Sequence, residues 1–223
     1  MKNSMPELPD AFPLPEKSGR PDILFIAGEH SGDELSAGVI SKMLAKNPEL
    51  KIAAFGGNDM RDAGAQLLFN MTTFSAVGLV EVVSNLSFYK KLFSLILSWI
   101  REHRPRAICF TDFPGMNLRL AKALKKEGLS RKGGGDISLF HYVSPQIWAW
   151  KAHRRFEMEK VLSPHISPSI TPGTEYGQPS IFSTPLSLKY LNVPSSLRKN
   201  MACSKVTAKS SFALVRIVLR CCS

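Results

Sequence analysis

The sequence contains little cysteine and, in its body, no apolar run long enough to cross a bilayer. Three of its four cysteines, Cys203, Cys221 and Cys222, lie near the carboxyl terminus, and only Cys109 falls in a predicted buried strand. No disulfide framework is indicated, so a reducing cytoplasmic location is expected. The most apolar segment of the body, "LFSLILSWI" (92–100), is flanked by Lys and Arg and is shorter than the ~20 residues that a spanning helix needs.

The first 20 residues, "MKNSMPELPDAFPLPEKSGR", lack the apolar centre of a signal peptide or a membrane anchor. Prolines stand at positions 6, 9, 13 and 15 of this segment. Because proline removes a backbone donor and interrupts helices and strands, residues 1–20 are predicted to form a flexible lead-in.

Acidic residues are nearly absent from the last quarter of the chain. From Leu162 onward, seven Lys and Arg accompany the single acid Glu175, so this segment supplies six of the eleven net positive charges. A basic chain suggests a nucleic-acid or anionic membrane partner. The segment has few aromatics and no recognisable recognition helix, so no nucleic-acid partner is expected, and a nucleic-acid binder acting through this tail is kept only as an alternative.

Fingerprints of metal and nucleotide sites are also missing. No set of His, Cys and Asp has metal-ligand spacing, so neither a metal nor another cofactor is predicted. The loop "AGEHSGDEL" (27–35) follows the apolar run "ILFI", but it has neither G-x-G-x-x-G nor G-K-[ST]. Glu29 and Asp33 would repel a pyrophosphate there, so the loop suits hydroxyl groups better than phosphates. The alternative is that Gly28 and Gly32 serve a tight turn and the acids cap the following helix.

The body alternates between two apolar periodicities. Helical spacing predicts a first helix that ends at Asn47-Pro48, with Ser31 and Glu34 as its capping box, and a long amphipathic helix over 86–103. Four short apolar runs predict buried parallel strands: "DILFIA" (22–27), "KIAAF" (51–55), "RAICFT" (106–111) and "ISLFHYV" (137–143). The predicted fold class is therefore α/β, a Rossmann-like parallel sheet with flanking helices.

Three loops are expected to meet at one edge of this sheet. They are "GEHSGD" after the first predicted strand, "DFPGMN" (112–117) after the third and "SPQIWAW" (144–150) after the fourth. Ligands of such sheets bind in the crevice outside the carboxyl ends of the strands. The three loops are therefore predicted to form a single site.

Five motifs carry a resemblance to a known family: "AGEHSGD", "FGGNDMRDAG", "AVGLVEV", "TDFPGMN" and "HYVSPQIWAW". In this order and spacing, residues 22–161 resemble the lipid-A-disaccharide synthases, which are glycosyltransferases of the GT-B type. The resemblance implies transfer of diacylglucosamine from UDP to diacylglucosamine 1-phosphate in lipid A biosynthesis. Residues 21–161 would be the acceptor-side Rossmann-like domain, the amino-terminal half of a GT-B fold.

After residue 161 the sequence departs from that family. Relatives continue into a second domain that binds UDP, whereas residues 162–223 form a divergent basic tail rich in Ser and Pro, which is predicted to be largely disordered. The donor domain is therefore expected to be absent and this chain alone to be inactive, as a truncated synthase. A catalytically inactive fragment that still binds the acceptor or a lipid is the alternative.

Asp112 is the predicted catalytic base, because it follows a buried strand at the expected edge and matches an aspartate of the family. Many relatives carry a second acid at the position of Gly115, and a base at that position would be missing here. The alternative for Asp112 is a cap of the next helix. The resemblance implies substrate contacts from Gly28, Glu29, Ser31, Gly32, Asp33, Asn117, Ser144, Pro145, Trp148 and Trp150.

The segment 86–104, "LSFYKKLFSLILSWIREHR", allows two interpretations. Its apolar face and flanking cations are typical of an interfacial helix, and substrates with two acyl chains must leave a bilayer surface. It would then give the protein a peripheral contact with the inner membrane face. The alternative is a crossover helix that packs its apolar face into the core.

Overall fold

The computed structural model of the chain describes residues 7–74, 86–142, 158, 160–162, 169–170 and 179–180. In chain order the main elements are β1 (Ile23–Ala27), α1 (His30–Lys46), β2 (Ile52–Gly56), α2 (Asn58–Asp62), β3 (Gln66–Asn70), α3 (Leu86–His103), β4 (Ala107–Thr111), α4 (Pro114–Lys126) and β5 (Ser138–Tyr142). Single 3-10 turns cover Thr72–Phe74 and Arg131–Gly133.

The five strands form one parallel sheet in the order β3-β2-β1-β4-β5. This arrangement confirms the predicted α/β class, with β1 at the centre. Strand β3, at one edge of the sheet, was not predicted from the sequence. Four of its five residues are only half-buried, so it lacks the continuous apolar run that marks β1, β2, β4 and β5.

Two apolar cores cover the two faces of the sheet, because successive strand residues point to opposite faces. Leu24 and Ile26 belong to the core beneath α3 and α4, and Ile23 and Phe25 belong to the core beneath α1 and α2. The central strands are buried on both faces, which explains why they appear in the sequence as unbroken apolar runs.

Helix α1 ends as predicted, with Asn47 as its carboxyl-terminal cap, but it does not begin as predicted. It starts at His30 with Glu29 at the N-cap, and no side chain makes a capping hydrogen bond. Ser31 therefore lies inside the first turn and not at its cap, so the predicted capping box is wrong.

The amino-terminal segment packs against the body over residues 7–16. The ring of Phe12 lies 4.8 Å from that of Phe55, edge to face, and Trp99 Nε1 donates a hydrogen bond to the Pro13 carbonyl at 2.9 Å. The side chain of Gln66 bonds to the backbone on both sides of Pro15. The prediction of a flexible lead-in is therefore wrong for these residues, because two aromatic contacts outweigh the effect of the prolines.

Helix α3 packs its apolar face into the core, as the crossover interpretation holds. Leu92, Ile96 and Ile100 are fully buried, and Trp99 is nearly so. This face is covered and cannot enter a bilayer. No helix among the described residues has the length and apolarity required to span a membrane.

The carboxyl-terminal part of the chain is described only in short pieces. Met158, Val161 and Leu162 are buried against the core beneath α3 and α4, and Lys125 Nζ donates to the Lys160 carbonyl at 3.0 Å. Beyond them, Ser169–Ile170 pairs with Pro179–Ser180 in an antiparallel arrangement. Predictions about the order of the rest of the tail lie outside the described residues.

Candidate functional site at the carboxyl edge of the sheet

The strand order places a crevice between the loops that follow β1 and β4. From β1 the chain proceeds to β2 on one side, and from β4 to β5 on the other, so the strand order reverses between these two neighbouring strands. Open α/β sheets bind ligands at such a reversal. Two of the three predicted loops, "GEHSGD" and "DFPGMN", are brought together there.

The backbone at the end of β4 adopts a conformation that most residues avoid. Asp112 has φ 50° and Phe113 has φ 43°, both in the left-handed region. Each such residue costs on the order of 1–3 kcal/mol, and strain of this kind clusters at functional sites. The sequence did not predict it, because a residue before proline, such as Phe113, normally adopts extended backbone and not the left-handed region.

Asn117 stabilises this strained turn from within α4. Its Nδ2 donates to the Asp112 carbonyl at 2.7 Å and to the Thr111 carbonyl at 3.4 Å. The residue is fully buried, and its Oδ1 has no hydrogen-bond partner among the residues that the structure describes. The geometry therefore suits Asn117 to hold the Asp112 backbone in place, whereas its predicted substrate contact stays a prediction.

The carboxylate of Asp112 faces the loop after β1. Its Oδ1 accepts a hydrogen bond from the backbone N–H of Phe113 at 2.9 Å, and its Oδ2 accepts one from Ser31 Oγ at 3.4 Å. Phe113, and not Asp112, holds the N-cap position of α4, and the Asp112 carboxylate bonds to the N–H of this N-cap residue, so the alternative of Asp112 as a helix cap stays open.

Glu29 is the second acid of the crevice. It stands at the N-cap of α1 and is half-buried. Burial, and secondarily the negative charge of Asp112, raise the pKa of Glu29 above its ordinary value of 4.5. Glu29 and Asp112 therefore place two carboxylates at one edge of the sheet, an arrangement suited to accepting hydrogen bonds and protons from hydroxyl groups.

Glu29→Gln is expected to stabilise the fold at pH 7. A raised pKa means that the folded state binds this proton more tightly than the unfolded chain, so the stability from this group is present below pH 4.5 and is lost as the pH rises through the raised value. Urea unfolding should show a higher midpoint for the variant at pH 7, with the gain disappearing near pH 4. Glu49→Gln, at an exposed position, is the control and should show no such dependence; an equal gain at both pH values would contradict the explanation.

Gly28 and Gly32 allow the two loops to approach. A Cβ on Gly28 would lie 2.7 Å from Phe113 Cγ, and one on Gly32 would lie 3.2 Å from Ala27 Cβ and 3.5 Å from Asp112 Cβ. Real Cβ atoms essentially never approach as closely as the first of these. The structure thus favours a packing role for both glycines over the predicted substrate contact.

Asp33 is buried, only 1% exposed, and its carboxylate is directed into the fold. It accepts hydrogen bonds from the backbone N–H groups of Gly57, Asp59 and Met60. The predicted sugar contact is therefore corrected for this residue, because its oxygens are engaged by another loop. Asp33 therefore caps the start of α2, although it lies in α1.

The substrate contacts predicted for the loop after β5 stay predictions. Ser144, Pro145, Trp148 and Trp150 lie outside the described residues. Within the described ranges, no group of three His, Cys, Asp or Glu side chains is arranged to hold a metal ion.

A cavity of about 310 Å³ lies at the opposite, amino-terminal edge of the sheet. It is lined partly by Pro15, Lys17, Leu50 and Lys51, and it is remote from both acids of the crevice. Lys51 Nζ donates to the Ser18 carbonyl, and Lys17 Nζ contacts the Pro48 and Leu50 carbonyls, so these cations hold the amino-terminal segment in place. We therefore assign the site to the crevice and not to the cavity.

The fold and the crevice define a doubly wound α/β domain with two carboxylates at the carboxyl edge of its sheet. A sequence profile of the family described as Lipid-A-disaccharide synthetase matches residues 23–166, well over half of the chain. The chain belongs to this family. The finding confirms the resemblance carried by the five motifs.

Individual relatives agree with the family match. The Lipid-A-disaccharide synthase 1 of Legionella pneumophila is 37% identical over 132 residues, which are 59% of this chain and 33% of the relative. The Lipid-A-disaccharide synthase of Coxiella burnetii is 36% identical over 138 residues, which are 62% of this chain and 35% of the relative. That of Alteromonas mediterranea is 38% identical over 135 residues, which are 60% of this chain and 33% of the relative. The matched part of the chain thus spans about a third of the length of these relatives.

Proposed function

We propose that this chain provides the acceptor side of a lipid-A-disaccharide synthase. In the proposed reaction, diacylglucosamine is transferred from UDP to diacylglucosamine 1-phosphate during lipid A biosynthesis. Family membership supports the reaction class, and the pair of carboxylates at the point where the strand order reverses supports the placement of the acceptor. Residues 21–161 form the acceptor-side domain in this proposal, because the match covers only a third of each relative.

Asp112 acts as the general base in the proposed mechanism. It takes the proton from the 6-hydroxyl of the acceptor, and the 6-oxygen then forms a bond to the anomeric carbon of the donor sugar. The bond between that carbon and the UDP oxygen breaks, and UDP leaves with the electron pair. Attack opposite the leaving group inverts the anomeric centre, as a single displacement requires.

Glu29 and Ser31 complete the acceptor side. The half-buried Glu29 carboxylate accepts hydrogen bonds from sugar hydroxyls, and the Ser31 hydroxyl orients Asp112 through its 3.4 Å contact. Asn117 holds the strained Asp112 backbone by donating a hydrogen bond to its carbonyl. The main support for this assignment is the convergence of residues from two loops, 81 positions apart in sequence, on one carboxylate.

Binding of the acceptor to the 223-residue chain tests the proposal directly. Isothermal titration in detergent micelles should show saturable binding of diacylglucosamine 1-phosphate and weaker binding of UDP-diacylglucosamine. Glu29→Gln should weaken acceptor binding by roughly tenfold, the loss expected when a hydrogen bond to a charged group is replaced. Glu49→Gln is the matched control. Absence of saturable acceptor binding by the parent chain would contradict the proposal.

A lipid-binding role without transfer is the second candidate function. It requires only the crevice, with Ser31 beside the Asp112 carboxylate and Glu29 at the same edge. Both functions include acceptor binding, so the rate measurement given in the Discussion separates them.

We also infer a peripheral membrane contact at the amino-terminal end of α3. Although the apolar face of this helix is buried, Leu86 is 52% exposed, and Lys90 and Lys91 are exposed beside it. An apolar side chain with adjacent cations suits the surface of an anionic bilayer.

Co-sedimentation with liposomes checks this contact. The chain is expected to bind vesicles that contain phosphatidylglycerol at low salt and to be released at high salt, because exposed charges are screened. The double variant Lys90→Glu/Lys91→Glu should lose binding, whereas Lys132→Glu, at another exposed position, should keep it. No binding even at low salt would exclude the contact.

A further inference from the structure

Asp33 lies in the first turn of α1, yet its carboxylate serves the loop after β2. Its Oδ1 accepts hydrogen bonds from the backbone N–H of Gly57 at 2.8 Å and of Met60 at 3.3 Å, and its Oδ2 accepts one from Asp59 at 3.1 Å. These N–H groups lie at the start of α2, which has no side-chain cap of its own. One buried side chain thus satisfies donors that a short helix would otherwise leave open.

Two glycines make room for this carboxylate. A Cβ on Gly57 would overlap Asp33 Oδ2, and a Cβ on Gly56 would overlap the Met60 side chain and lie 3.3 Å from Asp33 Oδ1. The glycine pair after β2 and the aspartate after β1 are therefore parts of the same contact. This contact accounts for two of the sequence motifs, "AGEHSGD" and "FGGNDMRDAG", that have no common explanation in the chain order alone.

The same first turn of α1 also faces the loop after β4. Ser31 Oγ donates to Asp112 Oδ2 at 3.4 Å, and Glu29, at the N-cap, has a pKa that responds to the charge of Asp112. A Cβ added at Gly32 would lie in ordinary contact with the Thr111 carbonyl oxygen and Asp112 Cβ, at 3.5 Å from each, so the turn packs directly against the end of β4. The turn is thus held between two loops, by Asp33 on the β2 side and by Asp112 on the β4 side.

We propose that Asp33 is a positioning residue: by locking the turn after β2 to the first turn of α1, it holds Glu29 and Ser31 beside Asp112. Asp33 itself contacts neither the acceptor nor the reacting atoms. Its importance for binding rests on the proposed function, which places the acceptor in this crevice. Its effect on the geometry of the crevice can be measured without any substrate.

Asp33→Asn is the informative variant. An amide has one accepting oxygen and an NH2 group that only donates, so it cannot accept from all three backbone N–H groups. The matched control is Asp22→Asn. Asp22 Oδ2 likewise accepts a backbone N–H, that of Lys51 at 2.9 Å, but it lies at the opposite edge of the sheet.

Two measurements on the 223-residue chain distinguish positioning from simple stabilisation. Hydrogen exchange reports on the amides of Gly57, Asp59 and Met60, and NMR titration reports on the Glu29 carboxyl. In Asp33→Asn, exchange at these amides should be faster by about tenfold or more. The pKa of Glu29 should fall toward its ordinary value of 4.5, because the turn moves away from Asp112 and into water.

Asp22→Asn should leave the Glu29 titration unchanged even where it lowers the urea midpoint. If Asp33→Asn speeds exchange but leaves the pKa of Glu29 as in the parent, Asp33 is only structural and the proposal is wrong. An equal shift of that pKa in Asp22→Asn would overturn it as well.

Gly57→Ala provides a second test should Asp33→Asn fail to fold. The added methyl group displaces the carboxylate from the other side while keeping its charge, and the same fall in the pKa of Glu29 is expected. An unchanged value would overturn the proposal. Acceptor binding by the parent chain is measured separately, so failure of the proposed function, seen as no binding, remains distinct from failure of the positioning role.

Discussion

Asp112→Asn is expected to lower the rate of glycosyl transfer by about 10²–10⁴, the usual contribution of a positioned general base. Asparagine keeps the size of the side chain and retains an oxygen to accept the hydrogen bond from the Phe113 N–H. It cannot take a proton from the 6-hydroxyl. Acceptor affinity should therefore change by no more than a few-fold, because the lost interaction belongs to the transition state.

The rate is measured in a chimera that continues after residue 161 with the remaining sequence of the Coxiella burnetii relative. UDP release and disaccharide formation are followed for the chimera and its variants at saturating acceptor. Asp59→Asn is the control, since it removes an exposed carboxylate near the same edge of the sheet. A rate for Asp112→Asn within a few-fold of the parent would remove Asp112 from the role of base. A chimera that binds acceptor without turnover would favour the lipid-binding function.

Gly115 offers a direct check on the rival position for the base. It is exposed, and among the described residues a Cβ there has open space around it, so an aspartate fits without strain on these neighbours. If the acid of the relatives at this position were the base, Gly115→Asp would raise turnover and make Asp112→Asn tolerable. We expect neither effect, because the Asp112 carboxylate is already oriented by hydrogen bonds from both loops, from Ser31 Oγ and from the Phe113 N–H.

The sequence was sufficient to predict the central strands and the long helices, because their physical causes are local. Helix α3 was predicted over 86–103 and occupies those residues, since its apolar spacing matches one buried helical face. Strand β3 was missed because an edge strand needs only partial burial, and Gln66 and Asn70 are as acceptable there as apolar residues. The packing of Phe12 was missed because it depends on rings more than 40 positions away.

The candidate site was predicted in outline and not in detail. Sheet topology alone placed the loops after β1 and β4 at one edge, and Asp112 and Ser31 do meet there. The sequence pattern could not predict the direction in which an individual side chain points, as Asp33 illustrates. Asp33 lies only two positions after Ser31, yet its carboxylate points to a loop 24 residues further along the chain. Such a choice is decided by where unsatisfied backbone donors lie in space, which periodicity does not reveal.

Phe55→Ala is expected to destabilise the fold by about 3–5 kcal/mol, the range for removing a large buried aromatic ring. Phe55 is fully buried in β2, where it lies 4.8 Å from the Phe12 ring and 5.9 Å from the Trp99 ring, both edge to face. The truncation removes apolar contact with both neighbours and leaves a cavity that β2, hydrogen-bonded on both sides, cannot collapse to fill. Urea unfolding followed by tryptophan fluorescence measures the loss.

A double-mutant cycle of Phe12 and Phe55 decides whether the amino-terminal segment belongs to the core. Phe12→Ala should also destabilise the fold, and the double variant should lose about 0.5–1.5 kcal/mol less than the sum of the single losses, since paired rings couple directly. Leu14→Ala, in the same segment but 69% exposed, is the control and should change stability by less than about 0.5 kcal/mol. Strict additivity of Phe12→Ala and Phe55→Ala, with little loss from Phe12→Ala alone, would restore the flexible lead-in. Coupling would instead show that the segment before residue 21 packs against the sheet near β3, and a chain that begins at residue 21 should then fold less stably than the full chain.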